Sequence, residues 1–248
     1  MVSSFSLRNR DTAVKAVLFD FFGTLVPNFM LSVHKEVLRQ MAGAAGAPAE
    51  PFVEHWLATF EERATGVFPS ARENIQAVCG LLNVVPRNDQ YAAAMRLRLD
   101  FEKLHIVPRQ SALSTLRAIK SLGLKTCVVS DCSPELPLLW NETPFAPFFD
   151  ATVFSCDVGI RKPNPQIYLE ACRRLEVNAE ECFFVGDGGS RELSGATELG
   201  MHAVLLATRE EQNNADTHRI DGEEAWRGPT ICDLKELLPM LADNGVVK

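Results

Sequence analysis

Three strand-like runs in this chain end in polar or acidic residues. Residues 16–19 (AVLF) run into Asp20, residues 124–129 run into Ser130 and Asp131, and residues 182–185 run into Gly186 and Asp187. Lys162 lies between the second and the third. Singly, each has a bland reading. An acid with a glycine ends a strand in a turn, a strand-end serine caps, and a lysine is solvated. Continuous apolar runs, however, mark strands buried on both faces of a parallel sheet. In open α/β sheets ligands bind just beyond the carboxyl ends of the strands. A parallel sheet brings those ends to one rim, so the four positions can converge on one site.

The elements around them have the matching rhythm. Strands are expected at 14–19, 124–129, within 148–155, at 182–185, at 202–206 and near 230–231. Helices are expected at 111–122, 166–175, 190–199 and 234–241. Gly123 stands where a C′ glycine belongs, while Asn164 and Pro165 fit an N-cap and the first helical position. Such alternation implies right-handed βαβ units and an α/β fold with helices on both faces of the sheet. Between the first two strands the period is helical throughout. Helices are expected over 30–41, 52–60, 70–82 and 88–104, with a break at 43–48, and 210–228 reads as a polar loop.

The 248 residues carry 25 Lys and Arg against 32 Asp and Glu, a net charge of -7, which disfavours a nucleic-acid partner. A small anionic substrate stays open, because a site can be locally positive. The seven cysteines form no CxxC pair, so they read as small buried hydrophobes in a reducing compartment and not as a zinc site. Residues 1–15 are polar, and no apolar run is long enough to span a membrane. The expectation is a cytoplasmic protein without membrane association. No heptad decides the oligomeric state, so monomer and homodimer both stand.

Asp20-Phe21-Phe22-Gly23-Thr24-Leu25 resembles motif I of the haloacid dehalogenase-like superfamily, and Val128-Val129-Ser130-Asp131 resembles motif II. Lys162-Pro163-Asn164-Pro165 resembles motif III. Phe184-Val185-Gly186-Asp187, followed by Glu192 and Gly195-Ala196, resembles motif IV. The resemblance runs from about 14 to 206 in order and spacing. It implies a Rossmann-like core over 1–27 and 106–248, with a helical-bundle cap over 28–105 hinged near Pro27 and Val107-Pro108. It further implies a Mg2+-dependent phosphatase acting on a small phosphorylated molecule. Asp20 would be the nucleophile, with Thr24, Ser130 and Lys162 as its catalytic company. Asp20, the Phe22 carbonyl, Asp187 and Glu192 would form the metal site. Gly23, Ser130, Asp131 and Lys162 would hold the substrate.

The chain departs from the family pattern at Phe22, where the usual phosphatase places an acid–base aspartate. Such help is typically worth about 10²–10⁴-fold. Three accounts fit: a leaving group that needs no proton, a proton from the cap, or a different reaction. For the second, His34, Lys35 and His55 are the candidates, each expected to lie on the surface. For the third, the superfamily's dehalogenases carry an aromatic residue here, attack carbon and use no metal. They would also need an inward-facing arginine, for which Arg39, Arg63 and Arg72 are available, all expected to be exposed. Asp187 and Glu192 pull towards the metal-dependent phosphatase, because extra carboxylates would repel a haloacid. Binding of a phosphorylated ligand or a protein partner without catalysis is a further alternative. Trp56, Phe52 and Phe60 are candidates for the pocket wall, with cap core as the competing reading.

Overall fold

A computed structural model describes residues 13–212, 214–218 and 224–244, so most of the polar N-terminal stretch and part of the 210–228 loop lie outside the described residues. Among the described residues, β1 (Ala16–Phe19), β2 (Lys125–Ser130), β3 (Ala151–Phe154), β4 (Cys182–Gly186), β5 (His202–Leu206) and β6 (Thr230–Ile231) form one sheet. Its order is β3-β2-β1-β4-β5-β6, and every neighbouring pair is parallel. The alternation of β1 explains its unbroken apolar run: Val17 and Phe19 pack on one face of the sheet and Ala16 and Leu18 on the other, all buried. Phe19 is level with Val128 of β2 and Val185 of β4. Asp20, Ser130 and Gly186 therefore end on one rim, as the sequence pattern requires.

Between β1 and β2 the chain forms α1 (Leu31–Ala45), α2 (Ala49–Ala58), α3 (Phe60–Ala64), α4 (Ala71–Leu81) and α5 (Asn88–His105). All but α3 share a separate apolar core that includes Leu38, Met41, Phe52, Trp56, Ile75 and Val78. Each fully buried side chain of this size contributes roughly 1.5–3 kcal/mol. α6 (Ala112–Ser121) and α7 (Glu135–Leu139) follow, then α8 (Ser155–Val158), α9 (Pro165–Leu175), α10 (Glu192–Glu198), α11 (Arg209–Gln212) and α12 (Leu237–Asp243). α6, α7 and α12 cover one face of the sheet, and α9 and α10 the other. Among the described residues no helix is long and apolar enough to cross a membrane.

Several element boundaries differ from the sequence expectation. The first helix runs through Gly43 and stops only at Gly46, whose left-handed backbone (φ +74°) closes it. The helix expected over 52–60 ends at Ala58, and a new one starts at Phe60. At the junction the Thr59 hydroxyl donates to the His55 carbonyl (2.8 Å). α11 interrupts the expected loop. The short α7 and α8 carry no periodicity long enough to read from sequence. The N-cap at Asn164 is as expected, its side chain accepting from the Gln166 amide (3.0 Å).

Candidate active site

The rim gathers five side chains. Lys162 Nζ donates to Asp20 Oδ1 (2.6 Å) and to Glu192 Oε2 (2.5 Å), and all three residues are buried. Thr24 Oγ1 donates to the other Asp20 oxygen, Oδ2 (2.9 Å). The nucleophile candidate is thus held at both oxygens. Asp187 Oδ1 accepts from the Gly189 amide (3.0 Å) and Oδ2 from Asn28 Nδ2 (2.7 Å). Glu192 Oε1 accepts from the Gly188 amide (3.1 Å). One ligand atom from each of Asp20, Asp187 and Glu192 lies within 4.8 Å of the others.

The electrostatics follow from crowding. Three carboxylates against one ammonium leave these four side chains a formal net charge of −2. Burial pushes the Asp20 carboxyl up to about 6 against the pull of Lys162, and Asp187 adds to the rise. Glu192 is held well above the ordinary carboxylate range by burial first and by Asp20 next, with Lys162 offsetting only part. Burial works against the charge on Lys162, yet Asp20, Glu192 and Asp131 together hold it well above the usual ammonium value. A dication among these carboxylates would relieve their repulsion, and hard oxygen donors of this kind suit Mg2+. The residues present therefore fit the metal that motif IV implies.

Two glycines make room for this packing. Gly23 has φ +87°, and a Cβ there would meet Asp187 Oδ2 at 2.3 Å and Asn28 Nδ2 at 2.4 Å. A Cβ on Gly186 would meet Glu192 Oε1 at 2.1 Å. Gly23→Ala is expected to cost about 1–3 kcal/mol in urea unfolding from backbone strain alone, and to lower turnover about tenfold as Asp187 is displaced. The connection before Glu192 passes through left-handed backbone at Ser190 (φ +52°) and Arg191 (φ +51°).

The remaining site residues expected from sequence have mixed positions. Asp131 Oδ1 accepts from the Lys162 amide (3.0 Å) and Oδ2 lies 3.5 Å from Arg161 Nε, so this acid orients the lysine segment and is offset by an arginine. Ser130 is buried, with no hydrogen-bond partner for Oγ among the described residues, and it does not line the cavity beside Asp20. Phe22 packs at 5.0 Å from Phe21 and 4.9 Å from Phe29, ring centroid to centroid, in a cluster that extends to Phe101. None of these phenyl rings can transfer a proton as the missing aspartate would, whereas His34 and His105 lie against Phe29 and Phe101.

That cavity measures about 350 Å3 and is walled by Phe22, Phe29, Trp56, Phe60 and Leu136 among others. Trp56 and Phe60 line it, whereas Phe52 belongs to the helical core. Two sequence expectations are corrected here. His34 is buried on the inner face of α1 and lines the cavity, because it stacks on Phe101 (5.4 Å). Arg63 is buried, its guanidinium 4.5 Å over the Trp56 ring. Lys35 also lines the cavity, whereas His55 does not, and Arg39 pairs with Glu50 on the surface.

Sequence reasoning missed Asn28, Arg98, Arg109 and Glu211. Arg109 donates to the carbonyls of Thr24 (3.0 Å) and Gly23 (2.7 Å) and pairs with Glu211 (2.7 Å). Glu211 in turn accepts from the Asn28 amide (2.7 Å). One buried ion pair thus ties the turn after Asp20 to the return of the chain at 109.

A model of haloacid dehalogenase-like hydrolases matches residues 14–200. The chain belongs to this family. A relative from Methanopyrus kandleri named glyceraldehyde 3-phosphate phosphatase is 28% identical over 198 residues, 78% of this chain and 84% of that one. A (S)-2-haloacid dehalogenase 4A from Burkholderia cepacia is 28% identical over 242 residues, 94% of this chain and 96% of its own. A 2-haloacid dehalogenase structure from Pseudomonas syringae pv. Tomato DC3000 shares the fold, with TM-score 0.67 and 22% identity over 92% of this hydrolase and 98% of that chain. The hydrolase thus stands between relatives of two named chemistries, and its own residues must choose.

Proposed function

We propose that this hydrolase is a Mg2+-dependent phosphatase of a small organic phosphate, with Asp20 as its nucleophile. The observation that carries the reading is the placement of Asp187 and Glu192 against Asp20, three buried carboxylates with one lysine among them. A metal-free enzyme that attacks the carbon beside a carboxylate has no use for that excess of negative charge.

Asp20, Asp187 and the Phe22 carbonyl would hold the metal, with Glu192 behind them. When bound, the dication neutralises the attacking carboxylate and the phosphoryl oxygens. Thr24 and Lys162 fix the plane of the Asp20 carboxylate so that one oxygen faces the phosphorus. Attack forms the Asp20–phosphorus bond and breaks the bond to the leaving oxygen. Water then cleaves the acyl phosphate, returning Asp20 and releasing phosphate, which splits one hard displacement into two easier ones. Lys162 would also neutralise phosphoryl oxygens, while Ser130, which the sequence pattern offered for the same task, stays outside the cavity lining. The helical unit at 28–105 acts as a cap over the core at 1–27 and 106–248, excluding water and selecting the substrate.

The second reading, cleavage of a carbon–halogen bond through an aspartyl ester, rests on Phe22. An aromatic ring serves a reaction whose leaving group needs no proton. Parallel turnover of small phosphates and haloacids separates the two. Phosphate release is expected with Mg2+ and at least a tenfold loss in EDTA, since the metal's charge stabilisation amounts to several kcal/mol. Haloacid turnover indifferent to EDTA overturns the phosphatase reading.

A further inference from the structure

The cavity that Asp20 lines also carries buried polar side chains outside the acidic cluster, two arginines among them. Arg63 is 2% exposed. Its Nη1 donates to the Trp56 carbonyl and to Thr59 Oγ1 (2.8 Å), both neutral acceptors, and its Nε has no partner among the described residues. No ion pair of Arg63 occurs among them either. Such a buried cation is costly unless something supplies an opposite charge. Arg98 lies beside it, with Nη2 on Glu102, Nε 3.6 Å from Glu135 Oε1 and outside hydrogen-bond geometry, and Nη1 unpartnered. Burial has lifted the Glu102 carboxyl to about 7, so near neutral pH that acid balances Arg98 only in part. The Trp56 indole N–H and both ring nitrogens of His34 are likewise buried without partners. Arg63, Arg98, Glu102, Trp56 and His34 line the same cavity as Asp20 and Lys162, and Glu135 lies outside that lining.

We propose that these side chains form an anion subsite, in which Arg63, supported by Arg98, takes a carboxylate at the end of the substrate remote from its phosphate. This inference rests on the phosphatase reading of Asp20 and adds a substrate class to it: a short phosphorylated carboxylic acid. Phe22, Phe29, Leu57, Phe60 and Leu136 also line the cavity, which suits an apolar segment between phosphate and carboxylate. A carboxylate fits better than a second phosphate. The guanidinium presents a planar fork that matches its two oxygens. A single negative charge also suffices for Arg63, on which Glu135 and Glu62 act from a distance but to which no acid is hydrogen-bonded.

The test compares ligands that differ only at that end. Omega-phosphonoalkanoates and alkylphosphonates of matched length, two to five carbons being about what a pocket of this size admits, are titrated calorimetrically into the full chain with Mg2+. At the best length the carboxylated ligand should bind roughly 10–100-fold tighter, the worth of a charge-assisted hydrogen bond freed from competition. Arg63→Met should bring that ratio close to one, and Arg63→Lys, which keeps the charge without the fork, should restore part of it. The corresponding phosphate esters should show the same ratio in kcat/KM. Equal binding of both series to the unmodified protein at every length overturns the subsite, whether or not the variants fold. So does a preference that survives in Arg63→Met, or a bisphosphonate preferred over the carboxylate. A carboxylate preference in binding without turnover of any phosphate supports the subsite and refutes the phosphatase reading. Phosphate turnover without the preference does the opposite.

Discussion

Asp20→Asn lowers turnover about 10⁴-fold or more, the order expected when a covalent nucleophile is removed. It also leaves the protein folded and, without metal, more stable at pH 7.5. The first result follows from position: Asp20 is the carboxylate that Thr24 and Lys162 hold at both oxygens at the mouth of the cavity. The second follows from linkage. Burial, with Asp187, raises the Asp20 carboxyl in the folded state to about 6, from 3.8. A raised value means that the folded state holds its proton more tightly than the unfolded chain. The group's contribution to stability is therefore complete below pH 3.8 and is lost as pH rises through about 6. At pH 7.5 the ionised carboxylate opposes folding, and a neutral amide does not. Each kcal/mol recovered raises Tm by about 2–4 °C in a chain of this size. Scanning fluorimetry of both proteins in EDTA should show the gap at pH 7.5 and its decline as pH falls towards 4. Retained turnover would place the nucleophile elsewhere. A destabilised variant at pH 7.5 would mean that the Lys162 ion pair outweighs the crowding.

The sequence carried the catalytic rim because a parallel sheet leaves little freedom. Once 16–19, 124–129 and 182–185 are strands of one sheet, their ends must meet, and Asp20 and Asp187 come together without any knowledge of loops. Lys162 lies in the turn before α9 and Glu192 opens α10, and both fall into place with those helices. The arginine part of the cavity was not legible for a related reason. Arg63 and Arg98 are 35 residues apart on two helices, and a helical arginine is ordinarily exposed. Both are buried with their guanidiniums over the Trp56 ring, and helix periodicity does not encode such a convergence. The same holds for Asn28 and for the Arg109–Glu211 pair, whose partners are 183 and 102 residues away in the chain. His34 was misjudged because a lone polar residue in a helix gives no sign of the aromatic neighbours, Phe29 and Phe101, that enclose it.

Phe22→Asp should raise the hydrolysis of alkyl phosphates about 10²-fold, within the range of general acid–base catalysis, and should leave acyl and nitrophenyl phosphates nearly unchanged. The argument turns on the leaving group. An alkoxide is a poor leaving group unless it is protonated as the phosphorus–oxygen bond breaks, and no residue two positions after Asp20 can do this while Phe22 stands there. The site should therefore be steeply sensitive to the leaving group's pKa, and the new carboxyl should flatten that dependence. Its surroundings suit the task. The position is half-buried between Phe21 and Phe29, so an Asp side chain there would be partly desolvated and shifted towards its protonated, proton-donating form. Loss of the ring contacts costs about 1–3 kcal/mol, less than a fully buried Phe would, and urea unfolding separates that loss from the kinetic effect. The informative measurement is the slope of log kcat/KM against leaving-group pKa in both proteins. A uniform gain across the series would mean that Phe22 had obstructed the site sterically. An unchanged slope with no gain would mean that proton transfer to the leaving group never limited this enzyme. In that case the aromatic ring serves a reaction at carbon, and the acidic cluster behind Asp20 would need another explanation.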